Sequence, residues 1–123
     1  MMQYTRLYAD STGESRFEDL ALDFQLIQYA PPTPSIYVSR FSPATQYGIL
    51  VLPPGWDGGL HPTPNRQVFF VLSGGVEVQL SGGETRRFAA GQMVVGEDTT
   101  GQGHHTRVVG DEPLVLATVH LPE

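Results

Sequence analysis

Residues 67–95, which read QVFFVLSGGVEVQLSGGETRRFAAGQMVV, decide the fold class of this chain. Two glycine-containing turns separate the apolar run 67–72 from the alternating run 76–80 and the short run 85–88. Glycine pairs between such runs are typical of β-hairpins, because hairpin turns often need the positive φ that glycine adopts freely. The first run is the most apolar of the chain, and we expect it to be buried on both faces. The stretch therefore predicts consecutive short strands.

The rest of the chain continues this pattern of short strands and turns. Fourteen glycines and ten prolines among 123 residues leave little room for helices of about ten residues or more. Further strand-like runs cover residues 24–29, 36–41, 47–52, 92–95, 104–109 and 114–121. The sequence therefore predicts an all-β domain, either a closed barrel or a sandwich.

The first forty-five residues are less regular than the rest. Residues 11–14 indicate a turn, and apolar side chains alternate over much of 17–27, with a short helix over 18–21 as the alternative reading. The proline-rich segment 30–34 is a stiff connector or an edge, because proline cannot donate a backbone hydrogen bond. We expect residues 1–45 to form an N-terminal arm with accessory strands and residues 46–123 to form the barrel, within one domain.

Charge and composition exclude several kinds of partner. The net charge of −6 and the scattered basic residues argue against nucleic acid. No run approaches the roughly 20 apolar residues of a membrane span, so no membrane partner is expected. The chain has no cysteine, hence neither a disulfide nor a thiolate ligand. A cytoplasmic location is the expectation that remains.

Two stretches of chain carry a spaced pattern of glycine and histidine. In the first, Gly55 is followed after five residues by His61, and then come Thr63, Gln67 and Gly74. In the second, Gly91 is followed after nine residues by the segment Gly101-Gln102-Gly103-His104.

These spacings resemble the two motifs of the cupin superfamily, and most closely those of small single-domain cupins. The departures from the motifs are specific. Thr63 stands in place of the second histidine and Gln67 in place of the glutamate. In the second motif the loop is two residues longer, and Thr99 and Val108 stand in place of proline and asparagine.

The resemblance implies a double-stranded β-helix, or jelly-roll barrel, with a pocket inside it. It implies that His61, Gln67 and His104 bind a divalent metal ion such as Zn, Ni, Mn or Fe, for isomerase, lyase or hydrolase chemistry on a small molecule. The alternative is a metal-free cupin that binds or senses a small ligand without turnover. Further pocket residues are expected to be Thr63, Tyr47, Trp56 and Phe69. Core packing also explains Tyr47 and Phe69, and covering of the barrel end also explains Trp56. Catalytic residues stay unassigned.

Further expectations concern two acidic residues, the other two histidines and the oligomeric state. Glu97 or Asp98, in the lengthened loop, is an alternative source of a metal-binding carboxylate. His105 follows His104 directly, so strand alternation places it on the opposite face, and His120 has no motif support. Small cupins commonly pair their N-terminal strands, so the resemblance implies a homodimer formed through residues 1–45.

Overall fold

The computed structural model describes residues 2–123, and within them the regular structure consists of twelve β-strands and no helix. The strands are β1 (Gln3–Ala9), β2 (Ser15–Ala21), β3 (Phe24–Ile27), β4 (Ile36–Ser39), β5 (Gln46–Leu52), β6 (Asp57–His61), β7 (Gln67–Ser73), β8 (Gly75–Leu80), β9 (Thr85–Ala89), β10 (Met93–Gly96), β11 (His104–Val109) and β12 (Leu114–His120).

Two sheets enclose the core. The larger has the order β2-β1-β10-β7-β12-β5 and the smaller the order β6-β11-β8-β9. Strands β1 and β10 are parallel, whereas the other pairs of these two sheets are antiparallel. The core between the sheets is apolar, and its best buried members are Leu7, Val71, Leu80, Phe88 and Leu114.

The prediction of an all-β chain is confirmed, but strand β6 is not among the strand-like runs of the sequence. Residues 53–66 carry no strand pattern, yet Asp57–His61 form β6. Two glycines in this strand give it little intrinsic strand propensity. Tertiary pairing with β11 imposes the extended backbone instead.

The N-terminal residues 3–21 form two strands of the larger sheet. Strand β1 lies between β2 and β10, so residues 3–21 belong to the larger sheet of their own barrel. The helical reading of 18–21 is wrong, because these residues pair with β1. Strands β3 and β4 instead form a separate two-stranded hairpin.

Strand β7 is buried on its inner face and only partly on its outer face in the single chain. Its inward residues Phe69 and Val71 line the barrel interior. On the outer face Val68 is buried, but Phe70 is 37% and Leu72 is 52% exposed, so the expected burial on both faces is only partly met within one chain.

Within residues 2–123, no helix is long and apolar enough to cross a membrane. The cytoplasmic location stays a prediction.

Candidate ligand-binding site

A cavity of about 350 Å³ lies between the two sheets. Most of its wall is apolar and comes from core residues of both sheets. The polar side chains on the wall include His61, Thr63, Gln67, His104 and Thr106. The cavity thus combines a mostly apolar wall with a few polar side chains, as small-molecule sites commonly do.

Strand pairing places the two histidines of the motifs side by side. His61 ends β6, His104 begins β11, and the two residues are direct partners in the antiparallel ladder. Their ring centroids are 5.0 Å apart with an angle of 51° between the planes. The two distant stretches of sequence therefore meet at one end of the cavity.

A close backbone approach fixes His61 in this position. Gly103 has φ +80, and a Cβ atom there would lie 2.3 Å from the backbone carbon and oxygen of His61. Only glycine allows both this φ and this contact. The glycine immediately before His104 thus positions the other histidine.

The Nδ1 atom of each imidazole is bound to a protein acceptor. His61 Nδ1 donates to the carbonyl oxygen of Gly59 at 2.9 Å, and His104 Nδ1 donates to the carboxylate of Asp98 at 2.6 Å. In a neutral imidazole with its proton on Nδ1, Nε2 carries the lone pair. Ser81 Oγ is the one fully buried side-chain polar atom of residues 2–123 without a hydrogen-bond partner. The two Nε2 atoms have no partner either, so they are not fully buried, and they are accessible from the cavity that His61 and His104 line.

The partner of His104 is a completely buried carboxylate. Asp98 accepts hydrogen bonds from His104, from Ser15 Oγ at 2.7 Å and from Thr63 Oγ1 at 2.7 Å. Burial would raise the pKa of Asp98, but the hydrogen bond from His104 Nδ1 and those from the Thr63 and Ser15 hydroxyls outweigh it. The pKa of Asp98 therefore lies below its usual value. The carboxylate stays ionised and holds the His104 ring in one orientation.

Neither acidic residue of the lengthened loop faces the cavity as a free carboxylate. Glu97 binds Arg6 Nε at 2.6 Å and Arg66 Nε at 2.5 Å. Asp98 lies behind His104 and does not line the cavity. The alternative of a metal-binding carboxylate from this loop is therefore wrong. Asp98 instead accepts a hydrogen bond from His104, which is itself a candidate metal ligand.

The amide of Gln67 is oriented by two neighbours. Its Nε2 donates to the carbonyl oxygen of Asn65 at 3.0 Å, and its Oε1 accepts from the hydroxyl of Thr118 at 2.6 Å. The opposite amide orientation would bring Oε1 against the Asn65 carbonyl, so the network fixes this one. Gln67 presents an oxygen that already accepts one hydrogen bond.

The remaining predicted pocket residues divide into two groups. Thr63, Trp56 and Phe69 line the cavity. Tyr47 does not: it is 85% exposed, and its prediction as a pocket residue is wrong because its side chain points to the outer side of β5. Its neighbour Gly48 stands at the inward position of the strand, opposite buried Thr118.

The other two histidines lie outside the cavity wall. His105 Nε2 contacts the carboxylate of Asp57, on the face opposite to that of His104, as strand alternation predicts. His120 Nδ1 lies 3.0 Å from Gln46 Nε2.

The donor set partly fits the divalent metal that the resemblance implies. The two Nε2 lone pairs fit as ligands, because each ring is held from behind by an acceptor, as in known metal sites. The third donor, Gln67 Oε1, is neutral and already accepts a hydrogen bond. Among residues 2–123 no three His, Cys, Asp or Glu side chains come together as a metal-binding group. The residues fit a weakly held ion rather than a closed structural site.

Two facing sheets around an internal pocket, with histidines at its polar end, define a double-stranded β-helix protein. The Cupin domain model matches residues 48–120, and the chain therefore belongs to the cupin family.

Solved structures agree with this fold. The structure of an uncharacterized conserved protein with a double-stranded beta-helix domain from Klebsiella pneumoniae is 26% identical, with a TM-score of 0.50. The match covers 62% of this chain and 65% of that one, so the chain spans less than two thirds of the length of this relative.

Two further structures match over more of this chain. A Cupin 2 conserved barrel domain protein from Salinispora arenicola is 20% identical, with a TM-score of 0.51, over 82% of this chain and 76% of that one. The Schizosaccharomyces pombe Cnp3 cupin domain is 17% identical, with a TM-score of 0.52, over 89% and 73%. Both likenesses concern the fold alone. No functionally curated protein matches the chain in sequence.

Proposed function

We propose that the barrel binds a small, mainly apolar organic molecule and holds a hydroxyl group of that molecule at His61 and His104. The observation that carries the proposal is the hydrogen bonding of the two rings. Both Nδ1 atoms donate to protein acceptors, which leaves two Nε2 lone pairs as acceptors at the polar end of an apolar cavity.

Hydrogen-bond balance selects the class of ligand. A poorly hydrated acceptor without a donor costs about 1–3 kcal/mol. A hydroxyl group carries one proton, and a three-centre hydrogen bond from it to both Nε2 atoms lowers that cost for the pair. The apolar wall contributes about 25 cal/mol per Å² of ligand surface that it buries. The cavity volume of about 350 Å³ is near the lower end of ligand sites, so the ligand is the size of one substituted ring. The proposal assigns binding to this site and no reaction.

A divalent metal ion is the second candidate for the same lone pairs. Its support is that an acceptor holds each candidate ring from behind, an arrangement common among metal-binding histidines. His61 and His104 would hold the ion, with Gln67 as a weak third ligand. A bound ion would supply Lewis-acid polarisation of a substrate oxygen for isomerase, lyase or hydrolase chemistry.

Metal analysis separates the two candidates. The protein is purified without chelator and without a histidine tag, and its metal content is measured for the wild type, His61→Ala and His105→Ala. His105 is the matched control, because it neighbours His104 in sequence but lies outside the cavity wall. Metal-free wild-type protein supports the organic ligand. One metal ion per chain that is lost in His61→Ala and kept in His105→Ala supports the second candidate and overturns the first.

Calorimetric titration with phenol and anisole tests the hydroxyl contact directly. The two probes share an aromatic ring, but only phenol has a hydroxyl donor. The proposal predicts that the wild type binds phenol at least about tenfold more tightly than anisole. It also predicts that His61→Ala and His104→Ala lose this preference while His105→Ala keeps it. Equal affinity for both probes in the wild type, or binding of neither, overturns the proposal.

A further inference from the structure

Trp56, on the cavity wall, is held by hydrogen bonds at both of its backbone groups. Its amide donates to the carbonyl oxygen of Pro53 at 3.0 Å, and its carbonyl oxygen accepts from the amide of Val108 on β11 at 2.9 Å. Between Pro53 and Trp56 stand Pro54 and Gly55, whose φ is +78, in the order that type II turns favour. The local sequence therefore fixes the point from which the indole reaches the cavity wall.

Strand β6 carries a bulge on its inner side. Its residues Gly58 and Gly59 together lie opposite the single residue Thr106 of β11, where the register of the ladder shifts. Thr106 lines the cavity, and so do Trp56 before the bulge and His61 after it. Because a bulge bends its strand and changes the direction of neighbouring side chains, it sets how these two rings meet.

Gly58 leaves the space in which the indole and the imidazole come together. A Cβ atom at Gly58 would lie 2.4 Å from Cη2 and 2.8 Å from Cζ3 of Trp56, and 3.1 Å from Cε1 of His61. The atoms of both rings thus occupy the place that a side chain at this position would take. Since Cε1 is bonded to Nε2 in the imidazole, the six-membered ring of the indole lies beside the nitrogen that is accessible from the cavity.

The second glycine of the bulge orients the same imidazole. The carbonyl oxygen of Gly59 accepts the hydrogen bond from His61 Nδ1 at 2.9 Å. The two glycines therefore act on different groups: Gly59 determines which nitrogen of His61 can accept from a ligand, and Gly58 determines that Trp56 lies next to that nitrogen. A ligand group bound at His61 Nε2 has the indole as its neighbour.

An indole surface favours an aromatic ring over a saturated ring of the same size. Aromatic rings attract one another in edge-to-face or offset-stacked arrangements, and such pairs gain more than burial of the same area does. A saturated ring gains burial alone, and it gains that equally from the aliphatic side chains that form much of the wall. The kind of ring that is preferred is therefore decided where Trp56 adjoins His61.

We propose that the ligand is an aromatic alcohol, which places its ring against Trp56 and its hydroxyl group at the two imidazoles. Trp56 determines the specificity for the ring, and Gly58 is the residue that positions Trp56. This ligand class rests on the proposed function, because it needs a hydroxyl group bound at His61 and His104. It adds the nature of the ring, which size and hydrogen bonding alone leave open between aromatic and saturated.

Calorimetric titration with benzyl alcohol and cyclohexylmethanol tests the ring preference. Both probes carry a CH₂OH group on a six-membered ring, and only benzyl alcohol is aromatic. Burial alone favours cyclohexylmethanol, because its ring has the larger apolar surface. The wild type is nevertheless expected to bind benzyl alcohol about three- to tenfold more tightly, which is the gain from one aromatic pair.

Substitutions at two positions assign the preference to its residues. Trp56→Leu is expected to abolish the preference for benzyl alcohol, whereas Trp56→Phe, which restores an aromatic ring, is expected to keep it. Gly58→Ala displaces the indole and is expected to abolish the preference as well. Its control is Gly48→Ala on β5, because Gly48 lies outside the cavity wall and an added Cβ there meets no atom of residues 2–123 within 4 Å. This control should keep the wild-type ratio of affinities.

Circular dichroism establishes that each variant is folded. If either Trp56→Leu or Gly58→Ala does not fold, the other decides, because one removes the indole and the other moves it. A wild type that binds cyclohexylmethanol at least as tightly as benzyl alcohol overturns the inference, even where phenol binds more tightly than anisole. A preference that persists in folded Trp56→Leu or Gly58→Ala overturns it too. Equal affinity for phenol and anisole is a separate result, which overturns the proposed function together with this inference.

Discussion

His104 donates its Nδ1 proton to the carboxylate of Asp98 across 2.6 Å, and that carboxylate is completely shielded from solvent. Because Asp98 fixes the proton on Nδ1, the Nε2 atom of His104 is left as an acceptor at the cavity. Ser15 and Thr63 complete the set of donors to this carboxylate. The Asp98 carboxylate and its two hydroxyl donors thus determine which His104 nitrogen can accept a hydrogen bond from a ligand.

Removal of the buried carboxylate should cost a large part of the stability. Asp98→Ala leaves the His104 N–H and two hydroxyl groups without their acceptor. We expect the free energy of unfolding to fall by about 3–5 kcal/mol, measured by urea denaturation. The control is Asp111→Ala in the exposed turn between β11 and β12, which should change it by less than about 0.5 kcal/mol. Equal small losses in both variants would contradict the assigned role of Asp98.

The same carboxylate should make stability depend on acid pH. The pKa of Asp98 in the folded protein lies below its usual value of 3.8. A carboxyl group with a lowered folded pKa stabilises the fold fully above its unfolded pKa, and this contribution is lost as pH falls through the folded pKa. Stability should therefore decline as the pH falls below 3.8, and in Asp98→Asn this decline should be shallower. Identical slopes of unfolding free energy against pH in both proteins would refute the linkage.

Asp98→Asn should also change which ligands bind. An amide NH₂ group facing His104 Nδ1 favours the tautomer with the proton on Nε2, which turns an acceptor into a donor. We expect the preference for phenol over anisole to disappear while the affinity for anisole is kept. Calorimetry of both probes checks this. If Asp98 had only a structural role, Asp98→Asn would lower the affinity for phenol and for anisole by the same factor.

The approach of Gly103 to His61 gives a prediction with a matched control. Gly103 and Gly110 have nearly the same φ, +80 and +84, but an added Cβ at Gly110 meets nothing within 4 Å. Both alanine variants therefore carry a left-handed strain of about 1–2 kcal/mol, and Gly103→Ala alone also displaces His61. We expect Gly103→Ala to bind phenol at least about tenfold more weakly than Gly110→Ala. Equal affinities would show that His61 does not depend on this contact.

The sequence was sufficient to predict that the two motif histidines lie together. The glycine and histidine spacings that end at His61 and His104 resemble cupin motifs, and the structure places those two residues opposite each other in one ladder. Strand alternation also separated His105 from the cavity correctly. The pairing of the two histidines is implied by the resemblance to the cupin motifs, whereas the orientation of His105 follows from strand alternation, which a single sequence displays.

The residues that the sequence did not reveal depend on tertiary contacts. Ser15 lies 83 positions from Asp98, and no local pattern links the two. The one sequence signal for Asp98 is the lengthened loop, which predicts a metal ligand rather than the hydrogen-bond partner of a ligand. Tyr47 was assigned to the wrong face because an apolar run on an edge strand does not itself indicate which of its sides faces inward. Strand β6 was missed because its pairing with β11 overrides weak propensity.

Nitrogen-15 NMR of the imidazole groups tests the central claim most directly, since it reports which ring nitrogen carries the proton. At about pH 8, where histidine is ordinarily neutral, His61 and His104 are expected to show protonated Nδ1 and unprotonated Nε2. Added phenol should shift both Nε2 signals and leave those of His105 and His120 in place. Protonated Nε2 in either cavity ring of the free protein, or a phenol titration that leaves both rings unshifted, would contradict the account.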